Sequence, residues 1–414
     1  MSSSYYRRDN CRLCGAVALR SVLELTPSPP ANAFVASDQL DKPQAEFPLE
    51  MFFCEVCAHA QLLDVVSAEE LFGDYVYVSG TSPVFRDHFS RYANEVIKRF
   101  SLSPEDLVVD IGSNDGTFLR RFQSVGCRVL GVDPAREIGQ QAIRDGVETI
   151  NGFFTPPLAG EMRAQHGAAT LVTANNVFAH IDDLAAVVEG VRGLMSVEGV
   201  FVFEVSYLAD VVEKTLFDTI YHEHLSYHAV GPLVRFFEAN GMELIGADRV
   251  ETHGGSLRGF AQLKGGPHSI AGSVGGRLVE EQQLGLDRPE TLIQFGQQIS
   301  RVRNTVMQLL EELRVRGAKV AGYGAPAKAT TLLHHFGIGP DTLQYIVDDS
   351  PLKQGLHTPG MHIPVRPASA LETHPVDCLL ILAWNFADSI IEKLKPFQAA
   401  GGQFLVPLPT PTMR

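Results

Sequence analysis

The sequence predicts an α/β protein in three parts. These are a small cysteine-bearing head over residues 1–66, a doubly wound parallel sheet over 67–268, and a Rossmann-like unit over 269–414. Three observations carry this division. Two C-x-x-C pairs sit near the N-terminus. The run Val108-Val109-Asp110-Ile111-Gly112 is a buried strand entering a glycine turn. A second strand, turn and helix start follows at Val320-Ala321-Gly322-Tyr323-Gly324.

The head is read from its cysteines. Cys11 and Cys14, then Cys54 and Cys57, supply four thiolates to one tetrahedral Zn²⁺, a closed set with no position left for a reacting water. The two pairs lie far apart, so the chain between them must fold back as a small sheet, with Ala33–Val35 and Met51–Phe53 as its strands. Cys127 and Cys378 lie in apolar runs and read as core residues. Residues 71–82 join head and sheet, and their aromatic and hydroxyl side chains suit a lid over an active site.

The central unit begins with the turn Gly112-Ser113-Asn114-Asp115-Gly116, followed by a helix. The next strand ends at Asp133, about 20 residues on, where a carboxylate accepts hydrogen bonds from a ribose diol. A dinucleotide wants G-x-G-x-x-G, so that its pyrophosphate lies against bare backbone. This turn has polar residues instead, and Asp110 and Asp115 repel a pyrophosphate while tolerating a sulfonium cation. The pattern favours S-adenosylmethionine (SAM). Further strands end at Asn175-Asn176 and at Glu204, and with His180 these residues are expected to line one cleft. The densest polar cluster then follows: Tyr221, His222, Glu223, His224, Tyr227 and His228. Such residues together point to a wet or functional surface, with a histidine suited to general-base work near neutral pH. The alternatives are an exposed polar turn and a second metal site on His222, His224 and His228.

The last third starts with a Gly- and Ser-rich connection from Pro267 to Gly285. From Leu292 to Leu313 apolar residues recur every three or four positions, predicting a long amphipathic helix that ends at Gly317. Gly322-x-Gly324-x-x-Ala327 resembles a dinucleotide fingerprint, which leaves NAD(P)-dependent oxidoreduction as a rival function. Lys328, near a helix N-terminus, and Asn385 are placed to meet a diphosphate instead.

Composition bounds the partners. Hydrophobic residues make up 45% and charged residues 20%, as in a packed globular protein, and the net charge of −14 argues against nucleic acid. No apolar run approaches the roughly 20 residues that span a bilayer. The first residues lack the apolar core of a signal peptide, so the expectation is a cytoplasmic protein, a monomer or weak oligomer.

Taken in order, several motifs resemble one family. They are the paired C-x-x-C head, Tyr75-Val76-Tyr77-Val78-Ser79-Gly80-Thr81-Ser82, the Asp110 turn and Ala174-Asn175-Asn176. Phe217–His224, His253–Arg258, Gly322–Lys328 and Ala383–Phe386 complete the set. The chain resembles the SAM-dependent NDP-sugar C-methyltransferases, typified by the 3-C-methyltransferases of deoxysugar biosynthesis. The resemblance implies a class I methyltransferase sheet at the centre, a structural zinc in the head, and a C-terminal unit that completes the substrate cleft. It implies His224 as the base that removes a proton beside a ketone, with Tyr221, Glu223 and His180 around it. It further implies that Tyr75, Asp110, Gly112, Asn114, Phe118, Asp133, Pro134 and Asn175 surround the cofactor. Tyr77, Ser79, Asn176, His253, Arg258, Tyr323, Lys328 and Asn385 would meet a nucleotide-sugar substrate. Family members often carry an acidic or small polar residue where His222 stands, and Ser226-Tyr227-His228 matches no segment of the pattern. Rival readings are an O- or N-methyltransferase and a zinc-containing binding protein that has lost activity.

Overall fold

A hairpin carries the head. The computed structural model describes residues 5–73, 80 and 83–414. Strands Leu19–Ser28, Phe47–Cys54 and Ala60–Leu62 pair antiparallel, and the short strand Ser226–Tyr227 joins the edge beside Ala60–Leu62. Leu19 faces Cys54 and Ser28 faces Phe47, so the cysteines lie at one end of the hairpin and its loop at the other. Met51–Phe53 is strand as expected. Ala33–Val35 is not: only Val35 forms a bridge, to His357, because Pro29 and Pro30 deprive the loop of two N–H donors.

The central sheet has seven strands among the described residues. Their order is Met242–Val250, Ser256–Leu263, Met195–Ser206, Ala169–Asn175, Leu107–Ile111, Arg128–Asp133, Thr149–Asn151. Ser256–Leu263 runs antiparallel to both neighbours, and the other pairings are parallel. Helices cover both faces, so the central parallel strands are largely apolar, as Leu107-Val108-Val109 shows. Strand order reverses between Leu107–Ile111 and Ala169–Asn175, and the ends of these two strands open on one crevice.

The C-terminal sheet has six strands in the order Val365–Arg366, Ile346–Val347, Val320–Tyr323, Cys378–Ile381, Gln403–Val406, Thr412–Met413; the last is antiparallel. The predicted amphipathic helix spans Pro289–Val315 and buries Leu292, Phe295, Ile299, Val302, Val306, Leu310 and Leu313. Residues 267–285 differ from expectation, since Gly272–Leu284 is helix. Tertiary contact overrides its glycines: buried Glu281 accepts hydrogen bonds from the Tyr207 hydroxyl and the Val230 and Gly231 amides. No helix among the described residues is long and apolar enough to cross a membrane.

Candidate active site and zinc centre

The four predicted cysteines converge. Cys11 and Cys57 sulfurs lie 3.5 Å apart, those of Cys14 and Cys54 3.6 Å, and all four fall within 4.8 Å of one another. A Zn–S bond of about 2.3 Å gives tetrahedral edges of about 3.8 Å, so the set fits zinc. The close approach of the Cys11 and Cys57 sulfurs pulls the Cys11 thiol down and pushes that of Cys57 up. Among the described residues this is the only such cluster of potential ligands.

The crevice of the central sheet holds most of the residues expected around a cofactor. Asp110 is buried and accepts from Thr173 Oγ1 at 2.6 Å and from Asn175 Nδ2 at 3.4 Å. Burial pushes its pKa up to about 7, against the pull of those donors. Gly112 has φ +72°, and a Cβ there would stand 2.3 Å from Val177 Cγ2, so the turn tolerates only glycine. Asn114, at φ +50°, donates its N–H to Asp133 Oδ2 at 2.8 Å, and Asp133 Oδ1 takes the Ala135 amide. Burial raises the Asp133 pKa as well. Pro134 is half-buried beside it. The buried Asn175 Oδ1 has no partner among the described residues. A glycine cradle, two buried carboxylates and an unsatisfied amide oxygen fit the amino-acid and ribose ends of SAM.

Two expectations for this crevice change. Phe118 is a core residue, packed against Phe89, Tyr92 and Phe122, because its ring lies on the side of the helix Pro83–Arg99. Asp115 holds the turn together by accepting from Thr117 and Gly80.

One turn beyond Asn175 stands a stack of rings. His180 lies 4.8 Å from His224 and 5.7 Å from Phe72, and Tyr221 lies 4.0 Å from His224, between ring centroids. His224 Nδ1 is 2.7 Å from the Thr219 carbonyl. A carbonyl only accepts, so Nδ1 carries the hydrogen and the imidazole lone pair is on Nε2. Glu223 is buried and accepts from Asn32 Nδ2 at 2.8 Å. The segment continues directly into Ser226–Tyr227, and the Ser226 amide donates to the Ala179 carbonyl, which ties both histidines to one frame.

The density of histidines misleads about two of them. His222 is buried, with Nε2 directed at the Phe47 and Pro48 carbonyls, and His228 is buried between the His59 and Phe178 rings. They belong to the packing, and the three histidines form no metal site.

Glu204 also departs from the open cleft expected of it. The register of Met195–Ser206 on Ser256–Leu263 sets Glu204 opposite Arg258, and the two form a buried pair at 2.9 Å. Arg258 further bonds Glu95 at 2.8 Å and lies 3.6 Å from the Tyr92 ring centroid, so its guanidinium is taken up by the fold rather than turned to a substrate. Burial raises the Glu204 pKa, but His88 and Arg258 outweigh it and leave it at about 2. His88 and Glu95 carried no signal in sequence.

The remaining predicted substrate residues are spread over two units. Asn176 has φ +55° and donates its amide to the Glu204 carbonyl at 2.8 Å. Tyr323 ends its strand buried, with its phenol pushed up by burial. Lys328 Nζ sits 3.5 Å from the Trp384 ring centroid, and desolvation lowers it to about 8 while Asp218 pulls the other way. Trp384 Nε1 in turn donates to buried Asp218 at 2.5 Å. Asn385 follows in the turn Trp384–Phe386. His253 is placed by its backbone alone, in the turn Thr252–Gly254. Tyr75, Tyr77 and Ser79, with most of the expected lid, lie outside the described residues. The dinucleotide-like turn is occupied by protein: Asp348 Oδ2 takes the Ala325 amide at 2.6 Å, where a pyrophosphate would need it.

The comparisons agree with this geometry. Residues 11–72 match a family described as "Putative zinc binding domain", 85–247 a methyltransferase domain, and 251–409 a C-methyltransferase C-terminal domain. The C-methyltransferase NovU of Streptomyces niveus is 36% identical over 403 residues, covering 97% of this chain and 96% of its own. A SAM-dependent methyltransferase structure from Clostridium acetobutylicum is 12% identical with a TM-score of 0.36, covering 43% of this chain and 92% of its own. One from Anabaena variabilis is also 12% identical, with a TM-score of 0.34, covering 43% and 94%. With its four-cysteine zinc site and its SAM crevice, the chain belongs to the SAM-dependent C-methyltransferases.

Proposed function

We propose that this C-methyltransferase acts on carbon C3 of a nucleotide-linked 4-keto-deoxysugar, with His224 as the base. The observation that carries the reading is the Nδ1–H of His224 held on the Thr219 carbonyl at 2.7 Å, which fixes the basic lone pair on Nε2 beside Tyr221 and His180. A ketone acidifies the neighbouring C–H. Nε2 takes that proton, and the C–H electron pair passes into the enolate. Tyr221, His180 and Asn176 are the candidate donors to the oxyanion, a term worth about 3–4 kcal/mol per donor in comparable sites. Bound SAM supplies the electrophilic methyl, which the enolate carbon takes as the methyl–sulfur bond breaks.

The labour divides along the expected units. Residues 67–268 hold the cofactor and the base, with Tyr75, Asp110, Asn114, Asp133 and Asn175 on the cofactor. Residues 269–414 complete the substrate cleft, where Lys328 and Asn385 meet the diphosphate and Tyr323 lies near it. Tyr77, Ser79 and His253 are assigned to the same substrate.

The test is deuterium wash-in at C3 of dTDP-4-keto-6-deoxyglucose in D₂O, with SAM binding measured by calorimetry. His224→Gln is expected to slow both wash-in and methyl transfer by on the order of 100-fold or more, with SAM affinity unchanged. Near-normal turnover in that variant would remove the base assignment. Methylation on oxygen or nitrogen, without label at C3, would remove the enolate step.

A further inference from the structure

The zinc-bearing head forms the wall behind the Tyr221–Tyr227 segment, and it touches that segment at four consecutive points. His222 Nε2 lies 3.2 Å from the Pro48 carbonyl, at the start of the strand Phe47–Cys54. Asn32 donates to Glu223 at 2.8 Å. The Leu62 amide donates to the Leu225 carbonyl at 2.9 Å, and Arg12, between the first two cysteines, points Nη1 at the same carbonyl from 3.4 Å. Ser226–Tyr227 then pairs with Ala60 and Gln61. Between these contacts stands His224, with Nδ1 on the Thr219 carbonyl.

Asn32 is the head side chain that reaches the buried carboxylate next to His224. Its loop is far from the zinc, eight residues along Phe47–Cys54, or about 25 Å at roughly 3.3 Å per residue. The loop is nonetheless fixed. Thr330 Oγ1 donates to the Ala31 carbonyl at 3.0 Å, and Val35 and His357 exchange both backbone bonds at 2.9 and 2.8 Å. The helix Ala327–Phe336, which carries Thr330, also holds the other side of the turn, where Thr331 Oγ1 donates to the Ile220 carbonyl at 2.8 Å. Asn32 is therefore presented by a clamped loop, and its partner Glu223 is buried. A carboxylate accepts only, so the amide NH₂ must face it, and a neutral donor satisfies that oxygen without adding a second charge. With the Glu223 side chain pinned, the turn closed by His224 N–H on the Tyr221 carbonyl at 2.8 Å is fixed, and so is the aim of Nδ1 at Thr219.

We propose that Asn32 is a positioning residue for His224, acting through Glu223 from the loop of the zinc-bearing hairpin. It touches neither cofactor nor reacting carbon; its work is to hold the imidazole in the Nδ1–H form and orientation. The proposal rests on the reading of His224 as base for its catalytic meaning, but its physical content is independent of it.

The test uses the ring itself. Histidine-¹⁵N NMR of the full-length zinc-loaded protein with S-adenosylhomocysteine reads the His224 tautomer, its signals assigned by their loss in His224→Gln. Four proteins are compared: wild type, Asn32→Ala, Glu223→Ala and the double variant, each checked for one zinc per chain and a cooperative melt. Asn32→Ala is expected to raise the Nε2–H population of His224 severalfold. In the Glu223→Ala background, where the acceptor is gone, the same change should add nothing, as required of two residues acting through one bond. Asn32→Gln, which can still donate, should restore part of the wild-type ratio.

An unchanged His224 ratio in Asn32→Ala would overturn the proposal. So would an equal change in both backgrounds, which would make Asn32 a general packing residue. Because tautomer and not turnover is read, failure of the base assignment shows up separately, as retained wash-in by His224→Gln.

Discussion

Asp110 is where stability and function pull apart at the scale of one residue. Its pKa is raised by burial from 3.8 to about 7, so the folded protein holds that proton more tightly than the unfolded chain does. The stabilisation is complete below the unfolded value, and it is lost as pH rises from about 4 to 7. Asp110→Asn has no proton to lose and keeps the oxygen that Thr173 and Asn175 use. Without cofactor, it should melt alongside wild type at pH 4 and above it at pH 8, by a few kcal/mol at most. The same variant should bind SAM more weakly at pH 8. Parallel melting curves across that range would show that the carboxylate is not strained by burial. Residue-level reading of the sequence succeeds where chemistry is local. The cysteine spacing and the Asp110 turn each declare themselves within a few positions. It fails where partners are distant, as with Asn32 and Glu223, 191 positions apart. It also fails where composition is taken for exposure, since His222 and His228 are both buried.

At the scale of elements, the antiparallel strand Ser256–Leu263 decides how the sheet closes beside the crevice. Gly259 lies in it, across from Phe203, and a Cβ at this position would meet the Phe203 ring at 2.1 Å. Phe203 is fully buried among Phe178, Phe201 and Phe237, so the ring has nowhere to go. Gly259→Ala is expected to destabilise by roughly 1–3 kcal/mol, read as a lower urea midpoint at unchanged slope. A midpoint equal to wild type would mean that the aromatic cluster yields at no cost. The strands leading to Asp110, Asp133, Asn175 and Glu204 are readable from apolar runs, and the helix Pro289–Val315 from its periodicity. The helix Gly272–Leu284 is not, because its glycines argue against it locally and contacts made elsewhere in the chain, those of Glu281 among them, hold it.

For the whole molecule, the reading of His224 as base predicts that the zinc supports catalysis from a distance. The metal ties Cys11, Cys14, Cys54 and Cys57 at one end of the hairpin, whose edge pairs with Ser226–Tyr227 and whose loop bears Asn32. None of these contacts reaches Asp110, Asn114 or Asp133, which are held by the strands of the central sheet. Structural zinc contributes on the order of 10 kcal/mol to small cysteine-bound folds, and here it gathers the end of a hairpin whose Leu23, Leu25, Leu49 and Met51 pack into the core. Cys11→Ser should therefore lose the metal, release the edge beside Ser226–Tyr227 and lower turnover by on the order of 100-fold, through misplacement of His224. SAM affinity should stay near wild type. Zinc analysis, calorimetry and methyl transfer on one preparation separate these effects. A zinc-free protein with normal turnover would show that the head is no part of the catalytic frame. Loss of SAM binding together with turnover would show that head and sheet fold as one unit, so that the metal supports the crevice as much as the histidine.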